Sequence, residues 1–388
     1  MRAFNIGVIG LGDISNVYLN NLKKYPETVN LYGCACRSLE KASKKAEEYG
    51  FRKAFGSGDE LLADPEIDVV LNLTNPETHY SYNKKALEQG KHVYCEKALA
   101  ATFEQGKELI ELARQKDLYV GCAPDTFMGG RLQTYRQLID RGELGEIIGG
   151  CAFMVCKGWE WFHYNPDFYY RPGAGPLFDM GPYYITALLS LMGPAEMVCA
   201  MGNQTEKIRM VKEGPKKGKE IVVDPAVDTH ITANIKFRNG AIVNLCMSFD
   251  VWDSQLPRLE IYGTKGTLCM AEMDPCSGPN LFGGEVLMRT EENSRWLFMP
   301  RQEKRVKTKW TNVKIPFGHN SVSHAENSRG VGLVDLVKAV QEKRKNRASG
   351  EMALHALEIM EGILLSIREN RFVKIVTQFE RPKPMDEI

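Results

Sequence analysis

Gly7-Val8-Ile9-Gly10-Leu11-Gly12-Asp13-Ile14-Ser15 is the stretch on which the fold turns. An apolar run, 5–9, enters it, and an amphipathic stretch, about 14–23, leaves it. Gly10 permits a tight strand-to-helix turn. Gly12 lets the backbone, with that of Asp13 and Ile14, approach a pyrophosphate at the N-terminus of the helix. Ser15 stands where a third glycine is usual and is small enough for close helix packing. A strand before the glycines and a helix after them predict a dinucleotide site rather than a plain turn.

Outward from that turn, strand-like runs at 5–9, 29–36, 69–73, 92–95 and 119–122 alternate with amphipathic segments at about 14–23, 39–48, 78–89 and 102–116. Consecutive apolar positions suit strands covered on both faces, and the alternation predicts right-handed crossovers and a parallel sheet. After Pro124 the rhythm changes to a helix at about 128–141 and longer β-rich runs at 147–156, 229–237, 241–249, 259–262 and 267–270. Arg238-Asn239-Gly240 reads as a hairpin turn between two of them. The Lys- and Gly-rich stretch 208–220 reads as a solvated loop, and helices are expected at about 325–345 and 350–369. The expected fold class is α/β plus α+β. A Rossmann dinucleotide-binding domain spans 1–124, and a substrate-binding domain built on a mainly antiparallel open sheet spans 125–388.

The 388 residues contain 50 Lys plus Arg against 49 Asp plus Glu, a formal net charge of +1. That balance argues against a nucleic-acid partner, which calls for a basic surplus, and favours a small-molecule protein. The ten cysteines form no C-x-x-C pair and the seven histidines no H-x-x-x-H, so no metal is expected. Reduced thiols, the absence of a signal-like apolar segment at the start and the lack of a membrane-length apolar run point to a soluble, cytoplasmic chain with no membrane partner.

The second strand ends in Cys34-Ala35-Cys36-Arg37-Ser38, with no carboxylate for a ribose 2′-hydroxyl. Arg37 beside the Ser38 hydroxyl suits a 2′-phosphate, so the cofactor expectation is NAD(P), leaning to NADP. Two further segments lie at strand ends: Thr74-Asn75-Pro76-Glu77-Thr78-His79, and Gly90-Lys91-His92-Val93-Tyr94-Cys95-Glu96-Lys97-Ala98. A lysine at the carboxyl end of a buried parallel strand can steer a substrate hydroxyl and share its proton.

Together these segments resemble the Gfo/Idh/MocA oxidoreductases, whose motifs run G-x-G-x-x-G/A/S, then T/P-N-P-x-x-x-H, then A-G-K-H-V-x-x-E-K-P. Ala98 stands at the family's Pro, and Cys36 at the acid that favours NAD. The resemblance implies that Thr74, Asn75, His79 and Glu96 line the cofactor and that Lys97 is catalytic. A further block, Gly173-Ala174-Gly175-Pro176-Leu177-Phe178-Asp179-Met180-Gly181-Pro182-Tyr183, resembles the family's G-G-G-x-L-x-D-x-G-x-H, with Tyr183 at the histidine position, as in one branch of the family. On a helix opening near Gly181 this spacing brings Asp179 and Tyr183 close to one face.

Between Cys156 and Asp179 the chain is dense in aromatics, which suit the C–H faces of a sugar ring. His163 is the expected substrate contact there, alongside Lys97 and Tyr183, while His319 and His324 are candidates for the same cleft and His355 is expected to pack. Asp125, after the last Rossmann strand, either contacts substrate or caps the following helix. The expected reaction is hydride transfer between a nicotinamide cofactor and a secondary alcohol or ketone of a sugar, glycoside or polyol, with Tyr183, Lys97 and Asp179 managing the hydroxyl proton. The alternatives are a dihydrodiol-type dehydrogenase, a redox-neutral glycosidase-like enzyme that retains its cofactor, and a non-catalytic sugar- or dinucleotide-sensing regulator. Family resemblance also implies a homodimer or homotetramer formed through the open sheet.

Overall fold

The structure is a computed structural model, and it describes residues 2–161, 163, 165–270, 281–291, 310–323 and 328–387. The chain divides into two compact units: Met1–Met128 with Ala325–Glu358 and Thr377–Lys383, and Gly129–His324 with Ile359–Val376 and Pro384–Ile388.

The first unit is built on β1 (Phe4–Ile9), α1 (Asp13–Leu22), β2 (Val29–Ala35), α2 (Leu39–Tyr49), β3 (Lys53–Phe55), α3 (Gly58–Leu62), β4 (Val69–Asn72), α4 (Pro76–Glu88), β5 (His92–Cys95), α5 (Phe103–Gln115) and β6 (Val120–Cys122). Its strands form one parallel sheet in the order β3-β2-β1-β4-β5-β6. The strand order reverses between β1 and β4, so the crevice for a ligand opens at their carboxyl ends, beside Gly10 and Thr74. Ile6, Val8, Val69, Val70, Leu71, Val93 and Cys95 are fully buried, the burial that consecutive apolar positions predict. Ser38, Ser57 and Thr102 accept N-cap hydrogen bonds at α2, α3 and α5.

The second unit carries α6 (Gly130–Asp140), β7 (Ile147–Val155), α7 (Gly175–Met192), β8 (Ala195–Asn203), β9 (Ile208–Met210), β10 (Glu220–Val222), β11 (His230–Phe237), β12 (Ile242–Ser248), β13 (Leu259–Gly263), β14 (Gly266–Cys269), β15 (Val286–Thr290) and β16 (Thr311–Val313). Nine strands, including β17 (Val373–Lys374), form a sheet in the order β16-β15-β14-β13-β7-β12-β11-β8-β17. Every pairing in it is antiparallel except β7 with β12. The Asn-Gly hairpin forms as expected, with Gly240 at φ +91° and the Asn239 side chain accepting from Ala241 N. The helix α7 packs against β7, β11 and β12. Thr232, Asn234, Ile242 and Asn244 alternate outward and are exposed.

Three expectations change. The stretch 208–220 is not a plain solvated loop: β9 and β10 pair as an antiparallel ribbon, and the side chain of Arg209, in the middle of β9, is fully buried. The helix carrying Asp179 opens at Gly175 rather than near Gly181, with Pro176 in its first turn, where a missing N–H costs nothing. Residues 325–358 belong with the first unit rather than the second. The reason lies at β6, an edge strand that needs cover. Cys122 N donates to Ala348 O at 3.1 Å, and Asn346 Nδ2 donates to Val120 O at 3.2 Å. Two helices follow, α8 (Val331–Glu342) and α9 (Gly350–Glu369), the latter within its expected bounds. Among the described residues no helix is long and apolar enough to cross a membrane.

Candidate active site

The Gly-rich turn fits a dinucleotide. Gly10 sits at φ +97°, and a Cβ there would lie 2.6 Å from Leu73 O, so the close approach of the β1 and β4 ends demands glycine. Gly12 is different. No atom lies within 4 Å of where its Cβ would be, so no protein neighbour excludes a side chain. What a Cβ would obstruct is a ligand laid against the exposed N-terminus of α1, where Gly12 and Asp13 are exposed and Ile14 is half-buried. Ser15 is buried and its hydroxyl donates to Gly12 O at 2.6 Å, closing the first turn. Past β2, Arg37 is exposed, and Ser38 caps α2 by accepting from Lys41 N at 3.3 Å.

At the end of β4, fully buried Asn72 accepts from Thr74 N (3.2 Å) and Thr74 Oγ1 (2.6 Å), and its amide donates to Asn83 Oδ1 at 2.9 Å. Asn72 thus fixes the backbone at Thr74, with Asn75 exposed at the N-cap of α4. Its only mark in the sequence is a polar residue inside the apolar run Val69-Val70-Leu71-Asn72-Leu73. His79 is fully buried, with Nδ1 2.7 Å from Ala98 O and Nε2 2.9 Å from Thr74 O. Burial lowers its pKa, while the two carbonyls pull the other way. Both ring nitrogens face backbone carbonyls, so His79 clasps the ends of β4 and β5 together.

Glu96 continues β5 and is 8% exposed. One carboxylate oxygen accepts from Tyr18 Oη on α1 and the other from Lys97 N, each at 2.9 Å. Burial and the neighbouring carboxylate keep Tyr18 protonated and therefore a donor. The backbone of Lys97 is thereby tied to the helix that follows the glycine turn. Lys97 is half-buried, and the Lys97–Ala98 peptide is cis.

Asp125, left open between two roles, is 1% exposed and accepts from Gly330 N and Gly332 N, each at 2.9 Å. It caps α8, and burial raises its pKa to about 6. His355 packs as expected, buried with Nδ1 2.8 Å from Thr377 Oγ1.

In the second unit, Asp179 and Tyr183 stand one turn apart on α7. Tyr183 is 7% exposed, and Asp179 is half-buried and accepts from Trp159 Nε1 at 2.8 Å. Trp159 opens a short 3-10 turn, Trp159–Trp161, and stacks on Tyr169 with ring centres 5.1 Å apart. His163 is half-buried and lies edge-on to Phe168 and Tyr169, and its Nδ1 accepts from Asn165 N at 3.1 Å, which assigns the ring proton of the neutral form to Nε2. The carbonyl of His319 accepts from Gly130 N at the start of α6. Phe162, Tyr164 and His324 lie outside the described residues.

Beneath the turn runs a buried ion network that sequence reading missed. Arg209 Nη1 donates to Glu160 at 2.9 Å and to Phe249 O at 3.0 Å, and Nη2 pairs with Asp250. Tyr170 Oη donates to the second oxygen of Glu160, and Thr229 Oγ1 to Asp250 at 2.7 Å. Both carboxylates thus have the cation and a hydroxyl as partners, as buried charges require, while Arg209 Nε has no hydrogen-bond partner among the described residues.

Comparison with known proteins agrees with this geometry. Residues 4–123 match the GFO_IDH_MocA oxidoreductase family with its NAD-binding Rossmann fold, and residues 132–269 match the GFO/IDH/MocA C-terminal domain. The chain is 27% identical to the 1,5-anhydro-D-fructose reductase of Ensifer adhaerens over 60% of this chain and 65% of that protein. It is likewise 27% identical to the D-glucoside 3-dehydrogenase of Escherichia coli (strain K12), over 63% of this chain and 70% of that one. A solved structure of levoglucosan dehydrogenase in complex with NADH shares the fold, with a TM-score of 0.79 at 20% identity over 97% of this chain and all of that one. With a glycine turn shaped for a dinucleotide, a lysine fixed at the end of β5 and both family domains matched, the chain belongs to the Gfo/Idh/MocA family of oxidoreductases.

Proposed function

We propose that this protein is an NAD(P)-dependent dehydrogenase or reductase acting on a secondary alcohol or ketone of a sugar, glycoside or related polyol, with NADP preferred over NAD. The observation that carries this reading is Lys97 at the carboxyl end of β5, its N–H held by Glu96, which is itself bonded to Tyr18 behind the glycine turn. The sugar-acting names of the two relatives support the substrate class. Exposed Arg37, with no carboxylate beside it, supports the 2′-phosphate.

When bound along Gly10, Gly12 and the start of α1, the nicotinamide dinucleotide supplies the hydride chemistry. The protein manages the proton. Tyr183 takes the proton of the substrate hydroxyl in oxidation and returns it in reduction. Lys97 supplies positive charge to the oxygen as it loses that proton, and Asp179 orients the hydroxyl. Nine free cysteines among the described residues support a reducing, cytoplasmic setting. The outward face of the nine-stranded sheet, with Met201 80% and Ile242 52% exposed, is where we place a second copy in a homodimer or homotetramer.

The test is turnover of free sugars, glycosides and polyols with NAD+ and NADP+, read at the absorbance of the reduced nicotinamide. Lys97→Met and Tyr183→Phe should each lower kcat by about 10²-fold or more while dinucleotide binding persists. Near-normal turnover in both variants overturns the assignment, and a monomeric mass by light scattering overturns the pairing of copies.

A further inference from the structure

We infer that Trp161 and Trp252 form a stacking wall for a second ring, so that the preferred substrate is a glycoside with a ring-bearing aglycone or a second sugar rather than a free monosaccharide. The inference rests on the sugar-oxidoreductase reading above and extends it.

Exposed tryptophans are rare, and two in contact are rarer. Trp161 is 37% and Trp252 68% exposed, and their indoles meet edge to face with centres 5.3 Å apart. Each also has an ammonium near its ring: Lys212 Nζ is 5.5 Å from the Trp161 ring centre, and Lys157 Nζ is 5.0 Å from that of Trp252. Indole surface beside hydrogen-bond donors is the chemistry that receives a sugar or aryl ring, whose C–H or π surface packs on aromatics while its hydroxyl edge takes polar contacts.

The wall is also held firmly. Trp161 follows Glu160, and Trp252 lies two residues after Asp250. Both carboxylates pair with the one fully buried guanidinium of Arg209. A buried triad of charges is weak evidence for stability, because a packed apolar cluster serves that end as well or better. What this triad does is fix two exposed indoles relative to each other.

The same short turn links the wall to the chemistry. Trp159, two residues before Trp161, donates its indole N–H to Asp179. The turn that carries Trp161 thus also carries a side chain in contact with Asp179, and on the proposed role of Asp179 a ring resting on Trp161 and Trp252 would adjoin the reacting one.

The experiment compares binding and turnover of 4-nitrophenyl glycosides with the matching methyl glycosides of glucose, galactose and mannose, in the presence of dinucleotide. Wild-type protein should favour the aryl glycoside at least tenfold in KM and in calorimetric Kd. Trp161→Ala/Trp252→Ala should abolish that preference and leave the methyl glycoside unchanged, and Trp161→Phe/Trp252→Phe should keep most of it. Absence of any aryl preference in the wild type, or an equal loss for both glycosides in the alanine variant, overturns the wall while the oxidoreductase reading stands on methyl-glycoside turnover. Absence of turnover and binding with every glycoside removes that reading, and the wall with it. A drop in the mass of the alanine variant by light scattering assigns the indoles to contact between copies and overturns the proposal as well.

Discussion

Trp159 donates its indole N–H to Asp179 at 2.8 Å, and its ring is fixed by stacking on Tyr169 and by an edge contact with Phe249. A carboxylate that must orient a hydroxyl loses efficiency when it is free to swing. Trp159→Phe keeps the ring contacts and deletes the donor. It should lower kcat about tenfold, the equivalent of one hydrogen bond of about 1.4 kcal/mol, with KM and thermal midpoint little changed. In an Asp179→Ala background the same substitution should cost nothing further. Additive losses in that double-mutant cycle would make Trp159 a packing residue only.

Arg209 holds Glu160 and Asp250 with 0% of its side chain exposed, against 3% and 7% for theirs. Arg209→Met leaves two buried carboxylates without their cation. The expected loss is about 3–5 kcal/mol in urea unfolding, far above the value of a surface ion pair. A loss below about 1 kcal/mol would mean that water reaches both carboxylates in solution.

The Rossmann half of the fold was legible because its strands are apolar at consecutive positions and its turns carry glycine. Two pieces of it escaped: β3 is only three residues, Lys53-Ala54-Phe55, too short for any periodicity, and α3 is little more than one turn. That Asp179 and Tyr183 stand one turn apart on a helix was legible because their spacing is local. Arg209 was not, since it sits among lysines and glycines while its partners lie 49 residues before it and 41 after it. Asp125 could not be resolved between two roles for the same reason, its acceptor contacts being 205 and 207 residues away. Local pattern reports which face an element buries. It does not report which distant polar group meets it there.

Asp125 gives a pH signature. Burial raises its pKa from 3.8 to about 6, against the opposing pull of Gly332, Arg329 and Gly330 and with some help from Glu96. The folded state therefore keeps a proton that the unfolded chain gives up between those two values. Stability contributed by this group is present at acid pH, declines as pH rises through that window and is level above it. Asp125→Asn preserves an acceptor for Gly330 N and Gly332 N and removes the titration. The stability of the variant relative to wild type should rise between about pH 4 and pH 7, by on the order of 2–3 kcal/mol. Parallel pH profiles for the two proteins in urea unfolding would show that Asp125 is not buried as a titrating carboxyl.

The proposed preference for NADP rests on two adjacent residues at the end of β2. Cys36 is half-buried, with its thiol 3.2 Å from Ser38 O, and Arg37 is exposed beyond it. A carboxylate at position 36 would accept the hydroxyls of an unphosphorylated ribose and repel a 2′-phosphate, whereas a guanidinium at 37 attracts one. Arg37→Ala should therefore lower kcat/KM for NADP by about 10- to 100-fold, the worth of one charge-assisted contact, and leave NAD almost unchanged. Cys36→Asp should act on both sides of the ratio, raising NAD and lowering NADP. The two substitutions probe one preference through opposite charges, so they must move the NADP-to-NAD ratio in the same direction. If either leaves that ratio where it was, the 2′-phosphate is not read at the end of β2.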